Sequence, residues 1–216
     1  MAITKVQHKA AAAAADHVHV ILDATAAVGN LIVAAVCCPS AHTGFTPPTN
    51  FAEAVWTTAG SSGFVSICYR VAGAAEPTEL IATITGASSV NMAAVEFSGT
   101  DATPLDKTAY VADTTSSVTS RSSGTTAATT VANELCFAVV RVLTAQTAPS
   151  WSNSYTLLDL NGGVMWEGYL VVSSTGAQES TCSWTGSQRA AGLIATFKQA
   201  TATGGRKFAT LLGVGA

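Results

Sequence analysis

Charge is what this chain has least of. Of its 216 residues only 11% are Asp, Glu, Lys or Arg, against roughly 25% in an average globular protein. A surface so poor in charge is covered by hydroxyls and small side chains, and burying it against a neighbour withdraws few full charges from water. That favours an assembly subunit over a solitary soluble enzyme. The net charge of −3 provides no basic field to attract phosphate backbones, so no nucleic acid is expected as a partner. No apolar run approaches the ~20 residues that cross a bilayer as a helix. The Ala-rich stretch 10–15, followed by Asp16 and His17, is too weakly hydrophobic for the core of a secretory signal. The expectation is a chain made in a cytoplasm, with no membrane partner.

Patterns that carry chemistry are equally scarce. There is no Cys-x-x-Cys, and Cys37, Cys38, Cys68, Cys136 and Cys182 all sit inside apolar strand phrases, where they read as reduced thiols acting as small hydrophobes. Adjacent Cys37 and Cys38 would point to opposite faces of a strand and could not easily pair. The four histidines fall in the first fifth of the chain. His17 and His19 share a strand face, a geometry open to two metal ligands, but decoration of a solvent face is the stronger reading, because Val18, Val20 and Leu22 alternate with them. Asp101 and Asp106 read as turn initiators, and Glu96, Glu134 and Glu167 lie in strand phrases without an evident cleft. No catalytic residue, cofactor or metal ligand is expected, and the chain is read as a non-enzyme.

What is present is β-structure. The apolar period is two nearly everywhere, apart from a turn or two of helix suggested by the Ala-rich segment 9–15. Leu31–Cys38 is apolar throughout, as expected of a central strand covered on both faces. In the segment 64–71, Val65, Ile67, Tyr69 and Val71 take one face, and Phe64, Ser66, Cys68 and Arg70 the other. Segments 80–85 and 92–98 read as a meander joined at Gly86, and Asn161-Gly162-Gly163 as a tight hairpin turn between 155–160 and 164–172. Short edge strands near Val111 and Val118 would join the two halves of the chain.

Several phrases return about a hundred residues later: 31–36 as 135–140, Tyr69 as Tyr169, Thr85-Gly86 as Thr185-Gly186, and Phe97 as Phe197. An echo at fixed spacing suggests repeated structure. The fold expected is therefore all-β, an antiparallel jelly-roll-like β-sandwich over 1–198 with roughly eleven to thirteen strands at sandwich spacing. Its related halves of about a hundred residues would cover 17–100 and 116–198, followed by an arm over 199–216.

Two groups of residues are candidates for contact with other molecules. Trp56, Trp151 and Trp184 could stack on a glycan, as aromatic side chains with an apolar face do. Lys5 and Val6 at the start, with Arg206, Lys207, Phe208, Leu211 and Leu212 in the final segment, could bind neighbouring subunits. The phrases Ala27-Val-Gly-Asn-Leu-Ile-Val-Ala-Ala-Val36, Met92-Ala-Ala-Val-Glu-Phe-Ser-Gly99 followed by Asp101 and Pro104-Leu-Asp106, and Ser183-Trp-Thr-Gly186 resemble minor tail and head-decoration proteins of tailed bacteriophages, especially those infecting high-GC actinobacteria. The resemblance implies a non-enzymatic structural subunit of a virion, repeated by symmetry and bound to other virion proteins. The alternative is a glycan-binding, host-adhesion sandwich on a virion or cell surface.

Overall fold

The computed structural model of the protein describes residues 1–39, 41–59, 63–113 and 116–201, the side chains of 59 and 159–161 excepted. The first eight strands are β1 (Thr4–Ala13), β2 (His17–Ile21), β3 (Leu31–Cys38), β4 (Gly44–Thr46), β5 (Ala52–Ala59), β6 (Gly63–Val71), β7 (Glu79–Thr85) and β8 (Val90–Ser98). Eight more follow: β9 (Thr100–Val111), β10 (Val118–Ser122), β11 (Glu134–Val142), β12 (Thr147–Trp151), β13 (Thr156–Asn161), β14 (Met165–Val172), β15 (Thr181–Gln188) and β16 (Ala190–Gln199). The chain is all-β and antiparallel, as its period-two pattern predicts.

The first set forms a five-stranded sheet, β1-β8-β3-β6-β5, and a three-stranded sheet, β2-β7-β4. The second set forms β9-β16-β11-β14-β13 and β10-β15-β12. Adding eight to each strand number of the first pair gives the second. The registers agree as well: Leu31 faces Phe97 as Leu135 faces Phe197, and Val33 faces Tyr69 as Phe137 faces Tyr169. Both β1 and β9 carry an irregularity at the same place, between Lys5 and Gln7 in one and between Leu105 and Thr108 in the other. The residues that echo in sequence therefore occupy equivalent positions in space.

The sheets stack in four layers, with the two wide sheets in the middle. One core lies between β2-β7-β4 and its wide sheet, another between β10-β15-β12 and its own, and a third between the two wide sheets. Alternation then assigns each residue of β3 to a core. Leu31, Val33, Ala35 and Cys37 enter the central core, while Ile32, Ala34, Val36 and Cys38 enter the outer one. All eight are fully buried, which accounts for the unbroken apolar run. In the central core each half lends a tyrosine to the other: Tyr69 meets Phe197 at 5.5 Å between ring centroids, and Phe97 meets Tyr169 at 5.4 Å.

Four details differ from the sequence reading. The described residues form sixteen strands, more than expected, because β4 and β12 are short and β1 and β5 lack a clean apolar alternation; the edge strand expected near Val118 is β10. The strand sets begin at β1 and β9, so both are wider than 17–100 and 116–198. The Ala-rich segment belongs to β1, not to a helix, since pairing with β8 from Thr4↔Ser98 to Ala13↔Val90 satisfies its backbone and overrides alanine's helical preference. β7 and β8 lie in different sheets, so Gly86, with φ of +83°, turns an arch between layers, not a meander hairpin. The turn at Asn161-Gly162-Gly163 does join paired strands, with both glycines at positive φ.

Phe97→Ala should lower stability by about 3–5 kcal/mol through the cavity it leaves. Urea unfolding of Phe97→Ala, Tyr169→Ala and the double variant should give a coupling of about 0.5–1.5 kcal/mol. Strictly additive losses would mean that the rings do not support each other across the central core.

Candidate functional site

The first wide sheet projects beyond the narrow sheet that covers it. β2 lies over β1 and β8, while at the other side Phe45 of β4 rests on Phe64 of β6, 4.8 Å between centroids. This leaves the outer face of the outermost strand, β5, uncovered, while Val55 on its inner face enters the central core. Trp56 stands on that strip, 51% exposed, with its indole 6.1 Å from the Phe64 ring. His42 packs against the same phenyl at 5.1 Å.

Two shallow depressions adjoin Trp56. One, of about 300 Å³, is lined by His42, Phe45, Glu53, Trp56 and Phe64. The other, of about 480 Å³, is lined by Trp56, Thr57, Thr58, Tyr110 and Ala112, and lies where β5 of the first half meets β9 of the second. Tyr110 is 57% exposed. Ser66 Oγ donates to Glu53 Oε2 at 3.1 Å. Burial raises the Glu53 pKa, and the Ser66 hydrogen bond opposes that shift.

The equivalent place in the second half is filled. Ser66 lies opposite Trp56 and Val36, as Trp166 lies opposite Leu160 and Val140, so Trp166 takes the position of Ser66. Its indole packs on Trp184 at 5.4 Å, and both are buried. Trp151 covers Gly168, where an added Cβ would come within 2.8 Å of Trp151 Nε1. The hairpins differ too: ten residues separate Trp56 from Ser66, but six separate Leu160 from Trp166, so the first-half hairpin is four residues longer. Phe64 and Thr58, a cross-strand pair, belong to that extension.

Trp151, 9% exposed, and Trp184, 6% exposed, are therefore core residues and offer no stacking face, which corrects the sequence expectation for both. Trp56 is the one of the three that remains accessible. Its neighbours Glu53 and Phe64 come from its own hairpin, β5 and β6, and Tyr110 from β9 of the second half. Lys5 and Val6 lie on β1, at the opposite edge of the same sheet. The irregularity there leaves Val6 53% exposed. Arg206, Lys207, Phe208, Leu211 and Leu212 lie outside the described residues.

The other polar residues singled out in sequence have local partners. His17 and His19 meet edge to face at 5.4 Å on the outer surface, bonded to Asp16 and Glu79 respectively. Among the described residues no three His, Cys, Asp or Glu side chains are grouped to hold a metal. Asp101 accepts from Thr103 N and Oγ1, as a turn initiator does. Glu96 accepts from Gln7 Nε2, Ala27 N and Asn30 Nδ2, tying β1 and the segment before β3 to β8.

Asp106 and Glu134 are a matched carboxyl pair. Burial acts upward on Asp106, but bonds from Thr130 N at 2.7 Å and Oγ1 at 2.8 Å, from Glu134 and from Lys107 outweigh it, so its pKa lies below the ordinary value. Burial raises the Glu134 pKa; a hydrogen bond with Thr196 opposes the shift, and the bond to Asp106 adds to it. The two carboxyls therefore shift in opposite directions.

Comparison with family models, curated proteins and solved structures finds no match.

The stability supplied by Asp106 is present above its unfolded pKa and is lost as pH falls through its lowered folded value. That of Glu134 is full below its unfolded pKa, near ~4.3, and is lost as pH rises through its raised folded value. Glu134→Gln keeps the side chain's size and polarity but removes its titrating proton. It should match the wild type near the unfolded pKa of Glu134 and become the more stable of the two toward neutrality, read from urea midpoints; midpoints that stay parallel across this range would contradict the raised Glu134 pKa.

All five cysteines are free and buried. Burial pushes the thiols of Cys37, Cys136 and Cys182 up to about 12, and that of Cys68 up further. The native protein should be inert to a water-soluble thiol reagent under mildly alkaline conditions and should react at all five positions in denaturant. Rapid native labelling at Cys37, Cys38, Cys68 or Cys136 would contradict the double coverage of the wide sheets.

Proposed function

We propose that the protein is a non-enzymatic structural subunit of a tailed-bacteriophage virion, of the minor-tail or capsid-decoration kind, built from a duplicated jelly-roll-like unit. The observation that carries this reading is the outer face of β10-β15-β12. Ser183 sits between Ser120 and Ser150 in register, and all three are exposed together with Thr185. Such a hydroxyl row can meet a neighbour by exchanging hydrogen bonds with water for hydrogen bonds with protein, without desolvating a full charge. The low charge of the chain and the four-layer stack beneath this face support the same role. Other virion proteins and further copies of the chain are the partners, and β1, with exposed Lys5 and Val6, is a second contact edge.

Immunogold electron microscopy of purified particles should find the protein at a fixed, symmetry-repeated position; its absence from particles would overturn the reading. Ser183→Glu should fold normally and be incorporated about tenfold less well, as expected when a charge is placed in an interface centre. Deleting 204–216 should also reduce incorporation while leaving the fold intact; undiminished incorporation would remove the final segment from the contacts.

A further inference from the structure

We infer that Trp56 is the centre of a binding site for a neutral, linear polysaccharide, which crosses the indole from the depression beside Glu53 to the one beside Tyr110. A pyranose ring presents C–H groups on its faces and hydroxyls around its rim, so its binding site needs an accessible aromatic surface bordered by hydrogen-bonding groups. Trp56 supplies the first. Glu53 and His42 border it on one side, Thr57, Thr58 and Tyr110 on the other.

Three observations select this ligand. The depressions, about 300 and 480 Å³, are shallow and lie on either side of one ring, a shape that suits a chain of several sugars better than a single enclosed one. Among the described residues, the ionisable groups lining them are Glu53, His42 and Tyr110, with no Lys or Arg, so uronic and sialic acids would meet an uncompensated carboxylate. The second half, with the same strand order, has three buried indoles at and around the equivalent place. The fold can therefore close this groove, and in the first half it leaves it open behind a longer hairpin. Binding by the purified chain is independent of whether the chain resides in a particle.

Trp151, Trp166 and Trp184 are buried, so a ligand-induced change in tryptophan emission reports mainly on Trp56. Titration of the full chain with cellohexaose, chitohexaose, mannohexaose and xylohexaose should change the emission with at least one of them. The matching disaccharide should bind at least about tenfold more weakly, and hexagalacturonate should not bind. By calorimetry, Trp56→Ala should abolish binding, Tyr110→Ala should weaken it, and Trp56→Phe should retain part of it, all with unchanged thermal midpoints because both residues are half exposed. The proposal is overturned if no neutral hexasaccharide binds at millimolar concentration or if Trp56→Ala binds normally. Equal affinity for disaccharide and hexasaccharide would also overturn it, as would a patch that serves only self-association, seen as sedimentation that depends on concentration and on Trp56 with no sugar bound.

Discussion

Two wide sheets whose central strands are covered on both faces are the constraint from which the rest of the structure follows. A sheet buried on one side needs only alternate apolar residues, but here every residue of β3 answers to one core or the other. The central strands must then be apolar at every step and small enough for both neighbours to approach. The Ala34-Ala35 and Ala93-Ala94 pairs, opposite each other in register, meet that demand. Tyr69 with Phe197 and Phe97 with Tyr169 bind the halves reciprocally, so neither wide sheet keeps its inner face covered without the other.

The same constraint governs where polar groups can survive. Arg141 and Glu167 lie in register with Met165 and Val139 on strands whose neighbouring positions enter the central core, and both are wholly buried near Cys37. Burying charge costs stability, but it also penalises a shifted register: a one-residue slip of β11 would carry Arg141 toward the other core and Val140 into this one. At the strand ends the solution is different. Glu96 with Gln7 and Asn30 in one half, and Glu134 with Asp106 and Thr196 in the other, join the same three strands through different chemistry.

The fold was legible because its core repeats. Leu31 and Leu135, Tyr69 and Tyr169, and Phe97 and Phe197 echo in sequence because each pair fills one position in two equivalent sheets. The short strands β4 and β12 were not legible, since five or fewer residues carry no periodicity of their own, whereas β10 was anticipated near Val118. Aromatic content pointed to Trp56 but equally to Trp151 and Trp184. None of these indoles has an aromatic counterpart in the other half, so repetition could not separate the exposed ring from the buried ones. Only the width of one sheet relative to its cover decides which indole sees solvent. Glu53 shares β5 with Trp56, but Tyr110, more than fifty residues away in sequence, joins it through packing alone.

The four extra residues of the first-half hairpin lie at the edge of a sheet, where a change of length disturbs no strand beyond its own pair. An insertion in β3 or β11 would shift side chains between two cores at once, whereas this one leaves every central pairing in place. Relatives of this chain would thus be free to vary the hairpin in length and sequence without refolding. Divergence should accumulate there first, so that closely similar scaffolds come to meet different surfaces.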